Sequence, residues 1–111
     1  MKCYSYTDFF SNLANESNIK IIESLKQGPK NVTTISNETK IEQSATSHRL
    51  KKLVSCNVLN VERKGKERIY SLNKETIIPI LKLVDEHVHK QCKTCWKRDQ
   101  RKVKRPLKIK L

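Results

Sequence analysis

One stretch of this chain, residues 42–54, constrains the fold more than any other, because its polar and apolar residues separate at helical spacing. Positions i, i+4, i+7 and i+8 form the buried stripe of an amphipathic helix, and here they are Thr46, Leu50, Leu53 and Val54. The opposite face carries polar side chains, which are Gln43, Ser44, Ser47, His48 and Lys51. The pattern predicts a helix that packs on a core along one side and presents hydrogen-bonding groups along the other.

The polar face of this helix is suited to contact with the edges of DNA bases. In a major groove Gln can pair with adenine through two hydrogen bonds, and Ser can donate or accept. An ordinary surface helix facing solvent has a similar composition. The stretch alone therefore leaves both interpretations open, and its neighbours decide between them.

Two helical patterns begin the chain. Residues 5–14 place Phe9 and Phe10 among aromatic and apolar residues at helical spacing, and we expect these two rings to make core or dimer contacts. Residues 16–27 form a clearer pattern, which stops at Gly28, a helix terminator that is followed by a proline.

A short helix precedes the polar-faced one. Residues 31–38 have Asn31 as the expected N-cap and Val32 and Ile35 on the inward side. A brief turn through residues 40–41 then leads into the polar-faced helix. Residues 31–54 are therefore predicted to form a helix-turn-helix whose second member is the recognition helix.

After Asn57 the apolar period changes from helical to alternating. Alternating segments at residues 58–61 and 69–72 flank Gly65, a pattern that predicts a β-hairpin with the glycine at its tip. A basic hairpin tip is more often simply solvated. Directly after a helix-turn-helix we interpret it as a wing, whose cations would lie along the phosphate backbone. Those cations are Arg63, Lys64, Lys66 and Arg68.

Residues 73 to about 93 are predicted to form a last helix, with the regular part beginning at or just before Pro79. Its apolar residues follow one another by four, three, four and four positions, a seam suited to packing against another helix. Because only 36% of the chain is hydrophobic, we expect a homodimer through the first and last helices. The seam consists of Ile77, Leu81, Val84, Val88 and Cys92.

The net charge of +13 is concentrated in the second part of the chain. Residues 1–42 carry five lysines and five acidic residues, whereas residues 43–111 carry 19 lysines or arginines and six acidic residues. Such an excess favours DNA, RNA or an anionic membrane as partner. A membrane is the least favoured of the three, because we find no long apolar run, signal-like start or lipidation motif.

We divide the chain into one DNA-binding and dimerisation domain, residues 1–95, and a basic, flexible tail, residues 96–111. From residue 97 onward the tail has eight lysines or arginines and only Asp99 as an acid. It could add phosphate affinity or act only as a solubilising segment. Four cysteines without a secretory signal indicate reduced thiols and a cytoplasmic protein, and Cys56 is expected to be a core thiol.

This order of elements resembles the ArsR-like winged-helix transcriptional regulators. The resemblance is carried by residues 13–25, 43–53 and 68–73. Its most specific part is Gln43-Ser44, then Ser47, His48-Arg49, Leu50 and Leu53. The resemblance implies a mainly α winged helix-turn-helix with a small β-hairpin wing, which binds imperfect palindromes at promoters as a homodimer, usually as a repressor, until an effector releases it.

Two residues depart from the pattern of the family. Glu42 stands where many members have a serine that caps the recognition helix, although a carboxylate still suits the helix dipole there. Thr46 replaces the usual aliphatic residue, and its hydroxyl can bond back to the carbonyl of Glu42. The DNA-contacting residues that we expect are Gln43, Ser44, Ser47, His48, Lys51, Arg63, Lys64, Lys66 and Arg68.

The metal sites of the family are absent or incomplete. The third helix has no Cys-x-Cys pair. The zinc site of the last helix in some members begins with Asp-x-His, matched here by Asp85 and His87, but its later positions fall on Arg98 and Arg101, which cannot ligate a metal.

A separate group on the last helix has the chemistry of a tetrahedral zinc site. It consists of His89, Cys92 and Cys95 with His87 or Cys3 as a fourth ligand. The two cysteines of the last helix could instead form a dithiol that oxidises, or only pack in the dimer seam. Zinc is thus one of three open interpretations.

Two other functions are consistent with parts of the sequence. A nonspecific nucleic-acid-binding protein, acting on the nucleoid or on RNA, would equally explain the charge. A thiol enzyme is less favoured, because a redox Cys-x-x-Cys generally stands at the start of a helix. We therefore expect a transcriptional regulator without enzymatic activity.

Overall fold

The computed structural model describes residues 5–91, and these form five α-helices and a three-stranded antiparallel sheet. The helices are α1 (Tyr6–Ala14), α2 (Glu16–Leu25), α3 (Val32–Thr39), α4 (Gln43–Ser55) and α5 (Ile77–Glu86), the last continued by a π-helical turn (His87–Gln91). The strands are β1 (Lys30–Asn31), β2 (Leu59–Lys64) and β3 (Glu67–Leu72). The predicted mainly α fold with a hairpin wing is confirmed.

Side-chain caps start the first three helices. Ser5 accepts a hydrogen bond from the backbone N–H of Asp8, and Asn15 accepts from those of Ser17 and Asn18. The predicted cap Asn31 accepts from the N–H of Thr34 at 2.9 Å. Each cap satisfies an N–H that has no partner within its helix.

The sheet has the order β1-β3-β2, so the hairpin is extended by one very short strand. Lys30 pairs with Tyr70, and Asn31 with Ile69. This contact fixes the loop between α2 and α3 against the base of the hairpin. The sequence did not predict β1, because two residues are too few to show an alternating pattern.

The core lies where α2, α3 and α4 meet the base of the hairpin and the start of α5. Ile21, Ile35 and Leu50 are fully buried there, together with Val58 and Ile77 at 0% and 1% exposure. Cys56 is buried in the same cluster, as predicted, and its sulfur accepts a hydrogen bond from Asn12 Nδ2 at 3.2 Å.

The last helix differs from its prediction at its start and again from His87 onward, and its predicted end near residue 93 lies outside the described residues. Residues 73–76 are not helical, because Asn73 Oδ1 accepts from the N–H groups of Glu75 and Thr76 and holds a turn. The regular helix begins at Ile77, two residues before Pro79, as the proline indicated. At His87 the α-helix gives way to the π-helical turn, which changes the spacing on which the predicted seam was based.

Both α1 and α5 keep large apolar side chains outside the core. Phe9 packs against the core while Phe10 is 57% exposed, and their rings meet edge to face with centroids 5.3 Å apart. On α5, Leu83 and Val84 are 65% and 50% exposed. The predicted seam is therefore buried at its start and open further along.

Within residues 5–91 no helix is long and apolar enough to cross a membrane. The predicted boundary at residue 95 and the basic tail, residues 96–111, lie outside the described residues. They stay predictions.

Candidate nucleic-acid interface

Helix α4 separates its two faces as the sequence predicted. Thr46, Leu50 and Leu53 are buried at 0% to 1% exposure, and Val54 is half-buried. All five polar residues expected to contact DNA from this helix are exposed, namely Gln43, Ser44, Ser47, His48 and Lys51. The helix is held by one side and leaves the other available to a partner.

Hydrogen bonds accommodate Thr46 in α4 and Glu42 just before it, the two residues that depart from the family pattern. Thr46 Oγ1 donates towards the carbonyl oxygen of Glu42 at 3.0 Å and lies 3.3 Å from that of Ile41. The predicted back-bond is thus present, and it satisfies a hydroxyl in a buried position. Glu42 makes no side-chain bond to the backbone of the helix, and its Oε1 accepts from Ser44 Oγ at 3.1 Å.

A left-handed residue ends each of the two helices of the helix-turn-helix. Lys40, with φ +62°, ends α3, and its N–H bonds to Ser36 O at 3.0 Å. Asn57, with φ +58°, ends α4 in a Schellman motif: its own N–H bonds to Val54 O, and that of Val58 bonds to Leu53 O. The first turn sets the direction of α4 relative to α3, and the second sets the direction of the hairpin relative to α4.

Arg49 connects α4 to the junction of α1 and α2, a role the sequence did not indicate. Its Nη1 donates to Asn15 Oδ1 at 3.1 Å and lies 3.4 Å from Asn18 Oδ1. The Nδ2 of the buried Asn18 in turn donates to the carbonyl of Asn12 at 2.8 Å. A cation on the recognition helix is therefore used to position it on the core.

The hairpin carries its cations on both faces. Arg63 and Arg68 are direct cross-strand partners, and Lys64 lies opposite Glu67. Gly65, with φ +62°, is the first of the two loop residues, a place where glycine adopts the positive φ of a tight hairpin turn without strain. Like charges opposite each other across a sheet destabilise it, so the Arg63–Arg68 pair favours an anion nearby.

None of the cations assigned to DNA contact is neutralised within the described part of the chain. The two ion pairs in residues 5–91 are Glu16–Lys20 and Lys30–Glu38, and neither includes a residue of α4, β2 or β3. The assigned cations, none of which has a carboxylate within 4.0 Å there, are Lys51, Arg63, Lys64, Lys66 and Arg68. Their charge is available to an external polyanion.

A cleft of about 650 Å³ separates the recognition helix from the hairpin. It gathers five of the predicted residues, which are Ser47, His48, Lys51, Lys66 and Arg68. The other four, Gln43, Ser44, Arg63 and Lys64, are exposed but do not line it. Seven further residues line the cleft and were not predicted to belong to a site: the polar Asn31, Thr33 and Glu67, and the apolar Val32, Val54, Val61 and Tyr70.

Comparison with known proteins places this chain among bacterial transcriptional regulators. The sequence pattern of the bacterial regulatory protein, arsR family, matches residues 15–61, which run from the start of α2 into β2. The HTH-type transcriptional regulator NmtR of Mycobacterium tuberculosis (strain ATCC 25618 / H37Rv) is 32% identical over 80 residues, covering 69% of this chain and 67% of that protein. The chain belongs to the arsR family of regulatory proteins. It is therefore a DNA-binding transcriptional regulator, and the resemblance inferred from the sequence is confirmed.

Solved structures extend the similarity beyond the region that the family pattern matches. The crystal structure of M. tuberculosis Rv0081 superposes with a TM-score of 0.71 at 25% identity, covering 79% of this chain and 89% of that one. The homodimeric winged helix-turn-helix DNA-binding domain of Mb0332 from Mycobacterium bovis, fragment 1–100, gives a TM-score of 0.62 at 25% identity, with coverage of 74% and 81%. This chain and both solved structures share the winged helix-turn-helix architecture.

The predicted metal or thiol site lies at the edge of the described region. His87 and His89 are exposed on the π-helical turn. Within residues 5–91 no group of three or more His, Cys, Asp or Glu side chains could hold a metal ion. Cys3, Cys92 and Cys95 lie outside the described residues, so zinc binding, thiol oxidation and simple packing all stay open.

Proposed function

We propose that this arsR-family protein is a homodimer that binds a specific operator and represses transcription by occupying promoter DNA. The observation that supports this most directly is the arrangement of the recognition helix and hairpin around one cleft. Polar side chains suited to base edges stand on one wall of it, and cations without carboxylate partners in the described chain stand on the other. A polyanion with hydrogen-bonding groups complements both walls.

In this proposal base recognition belongs to α4. Gln43 and Ser44 occupy its first turn, and Ser47 and His48 follow one turn later on the same exposed face. The amino-terminal residues of a recognition helix are those that contact base edges in a major groove. Because Ser44 already donates to Glu42, its hydroxyl would act towards DNA as an acceptor.

Phosphate contact belongs to Lys51 and the hairpin. Arg63 and Arg68 stand opposite each other, and a phosphate lying between them would relieve their repulsion. Lys64 and Lys66 flank Gly65 at the tip, where a sugar-phosphate backbone can pass without contact with the core. Such contacts position a protein on the duplex and carry no sequence information by themselves.

Dimerisation would use the apolar side chains that α1 and α5 leave exposed. Tyr6 and Phe10 on α1 are 87% and 57% exposed, and Leu83 and Val84 on α5 are half exposed or more. The similar Mb0332 domain is homodimeric. A two-fold axis through this surface would present two recognition helices to half-sites about 34 to 36 Å apart, one turn of DNA.

The division of roles can be tested with two single substitutions. A duplex selected from a random pool by the full chain is compared with a shuffled duplex of equal length. Arg63→Ala should weaken binding to both duplexes and lower the slope of log K against log salt by about one unit. Ser47→Ala should instead reduce the difference between the duplexes, leaving the salt slope unchanged.

The two variants control for each other, because both residues are exposed and neither substitution removes a core contact. Equal losses on selected and shuffled duplexes for both variants would contradict the assignment of roles.

The charge of the chain supports a second candidate, a nonspecific nucleic-acid-binding protein. Residues 92–111 alone carry nine lysines or arginines and one aspartate, and charge of this kind binds any polyanion. If selection from a random pool enriches no sequence, and structured RNA competes as well as duplex DNA, this second function is favoured.

We propose control by metal or thiol oxidation as a separate property, involving His87, His89, Cys92 and Cys95. The test is metal analysis of protein purified under reducing conditions, with DNA affinity measured before and after chelation and after oxidation. Control through this group requires the DNA affinity to change when a bound metal is chelated or when the thiols are oxidised. Neither change would be seen if the cysteines only pack.

A further inference from the structure

The cleft between the recognition helix and the hairpin has an apolar floor that DNA contact does not explain. Val32 comes from α3, Val54 from α4, and Val61 and Tyr70 from the two long strands. Phosphates are met by hydrogen-bond donors and cations, and apolar side chains meet base edges at single thymine methyl groups, which do not require a recessed floor of four side chains. Four apolar side chains from four elements therefore point to a different kind of ligand.

The floor is a continuation of the core face of the sheet. Leu59, Val61 and Arg63 alternate along β2 and so share one face, opposite Leu72, Tyr70 and Arg68 on β3. At the base of the hairpin that face is buried, with Leu59 at 1% exposure, whereas Val61 is 43% exposed. No described element covers this valine, although Val54 faces it from across the cleft.

The rim of the cleft is cationic. Lys51, Lys66 and Arg68 line it and have no carboxylate within 4.0 Å among residues 5–91. The only acid among its lining residues, Glu67, accepts a hydrogen bond from Asn31 Nδ2 at 3.3 Å. With three cations and one carboxylate, the cleft favours an anion.

The volume of about 650 Å³ lies in the range of small-molecule sites, which are mostly apolar with a few polar groups that orient the ligand. We propose that the cleft binds a small organic anion with an aromatic or similarly flat apolar body, its acidic group against Arg68 and its body against Val54 and Val61. Such a ligand occupies the wall that faces DNA. Binding of the ligand and of the operator would then be mutually exclusive, a consequence that rests on the proposed function.

The test uses 2-naphthoate as probe and the neutral 2-naphthalenemethanol as a control of equal shape. Backbone amide shifts of the full chain are followed by NMR during titration without DNA. Naphthoate should give saturable shifts at Ser47, Lys51 and Arg68, and the alcohol should bind more weakly. No saturation up to millimolar naphthoate, equal binding of the alcohol, or shifts confined to the apolar surface near Phe10 and Leu83 would overturn the proposal.

A matched pair of variants separates this site from general cation effects. Arg68→Ala should weaken naphthoate binding by about fivefold. This factor corresponds to the upper end of the free energy that an exposed ion pair contributes. Lys64→Ala removes a cation from the opposite face of the same hairpin and should leave naphthoate affinity unchanged. The isosteric Val61→Thr should weaken it by about threefold. Equal losses in the two cation variants would contradict the site.

Competition with DNA completes the test. The naphthoate concentration that displaces half of a selected duplex should rise linearly with duplex concentration and extrapolate to the dissociation constant of naphthoate, and binding of both together would overturn the proposal. If the protein shows no sequence preference but naphthoate still occupies the cleft and displaces DNA, the proposed operator function fails while the ligand site stands.

Discussion

Two surfaces of this protein are exposed for opposite reasons. The hairpin and the outer face of α4 present charge, with Arg63, Arg68 and Lys51 lacking carboxylate partners in residues 5–91. The outer sides of α1 and α5 expose apolar side chains, with Phe10 and Leu83 at 57% and 65% exposure. Unpaired charge at a surface costs little because water solvates it, whereas exposed large apolar side chains in contiguous patches mark interaction sites.

The difference predicts how binding at each surface depends on salt. Binding to the charged surface should weaken steeply with salt, because counterions are released from the polyanion. Association through the apolar surface should be nearly insensitive to salt, because it depends on area removed from water.

The largest effect should come from placing a charge on the apolar surface. Phe10→Asp should convert a dimer into a monomer and lower affinity for a duplex with two half-sites by about 100-fold, the lower end of the gain from linking two binding events. Light scattering after size exclusion measures the first, and fluorescence anisotropy the second. Phe10→Leu keeps the surface apolar and should remain dimeric. An Asp variant that is still a dimer would show that this surface is not the interface.

The two surfaces are connected through Arg49, which reaches from α4 to Asn15 between α1 and α2. Arg49→Ala should lower the free energy of unfolding by about 1 to 3 kcal/mol, because it leaves the carbonyl of the buried Asn18 without that donor. It should also weaken binding to the selected duplex more than to the shuffled one. Denaturant unfolding and anisotropy measure the two effects.

Lys52→Ala is the control for Arg49, because Lys52 is an exposed cation on the same helix. If both variants lose stability and selectivity equally, Arg49 has no positioning role.

A smaller effect, with the opposite sign, is expected at the turn before the recognition helix. Lys40 has φ +62°, a conformation that costs a side chain about 1 kcal/mol and costs glycine little. Lys40→Gly should therefore raise the free energy of unfolding by up to about 1 kcal/mol in thermal or chemical denaturation. Lys26→Gly, at a residue in right-handed helical conformation, should destabilise instead. Loss of stability in Lys40→Gly would mean that the side chain makes a contact that outweighs the strain.

Much of this organisation followed from local pattern. The Asn31 cap, the left-handed glycine of the hairpin and the split faces of α4 each depend on a few neighbouring residues, which the sequence shows directly. The back-bond of Thr46 could be predicted for the same reason, since donor and acceptor lie four residues apart.

Most of the features that were missed depend on distant residues. β1 exists because Tyr70 and Ile69 lie beside it, and Arg49 meets Asn15 across 34 positions. The π-helical turn at His87 lies within a pattern that is helical in the sequence, where one extra residue per turn is not visible. The cleft combines side chains from α3, α4 and the hairpin, so its apolar floor could not be seen from any one element.

The smallest effect concerns a charge pair that is satisfied within the chain, unlike those of the hairpin. Lys30 Nζ bonds to Glu38 and, at 2.6 Å, to the carbonyl of Ser24, and Ser24 Oγ donates to Glu38 at 2.6 Å. The bond from Lys30 lowers the pKa of Glu38 below its ordinary 4.5, with the bond from Ser24 adding to it.

A carboxyl whose pKa is depressed by folding contributes stability above its unfolded pKa, and the contribution is lost as the pH falls through the folded value. Glu38→Gln should therefore flatten the decline in stability below pH 4.5. The change at neutral pH should be under about 1 kcal/mol, because the carboxylate side chain is 44% exposed. Urea unfolding from pH 3 to 7 measures this pH dependence of stability, and Glu62→Gln, at an exposed glutamate, is the control. Identical pH profiles for wild type and Glu38→Gln would remove the pair from the account.

We propose that the charged surface recognises a DNA sequence and not only a polyanion. The most direct measurement is the ratio of dissociation constants of the full chain for a selected and a shuffled duplex, both at physiological ionic strength. A specific regulator should prefer the selected duplex by about 1,000-fold or more. A ratio near one, with both affinities falling in parallel as salt is raised, would contradict the claim.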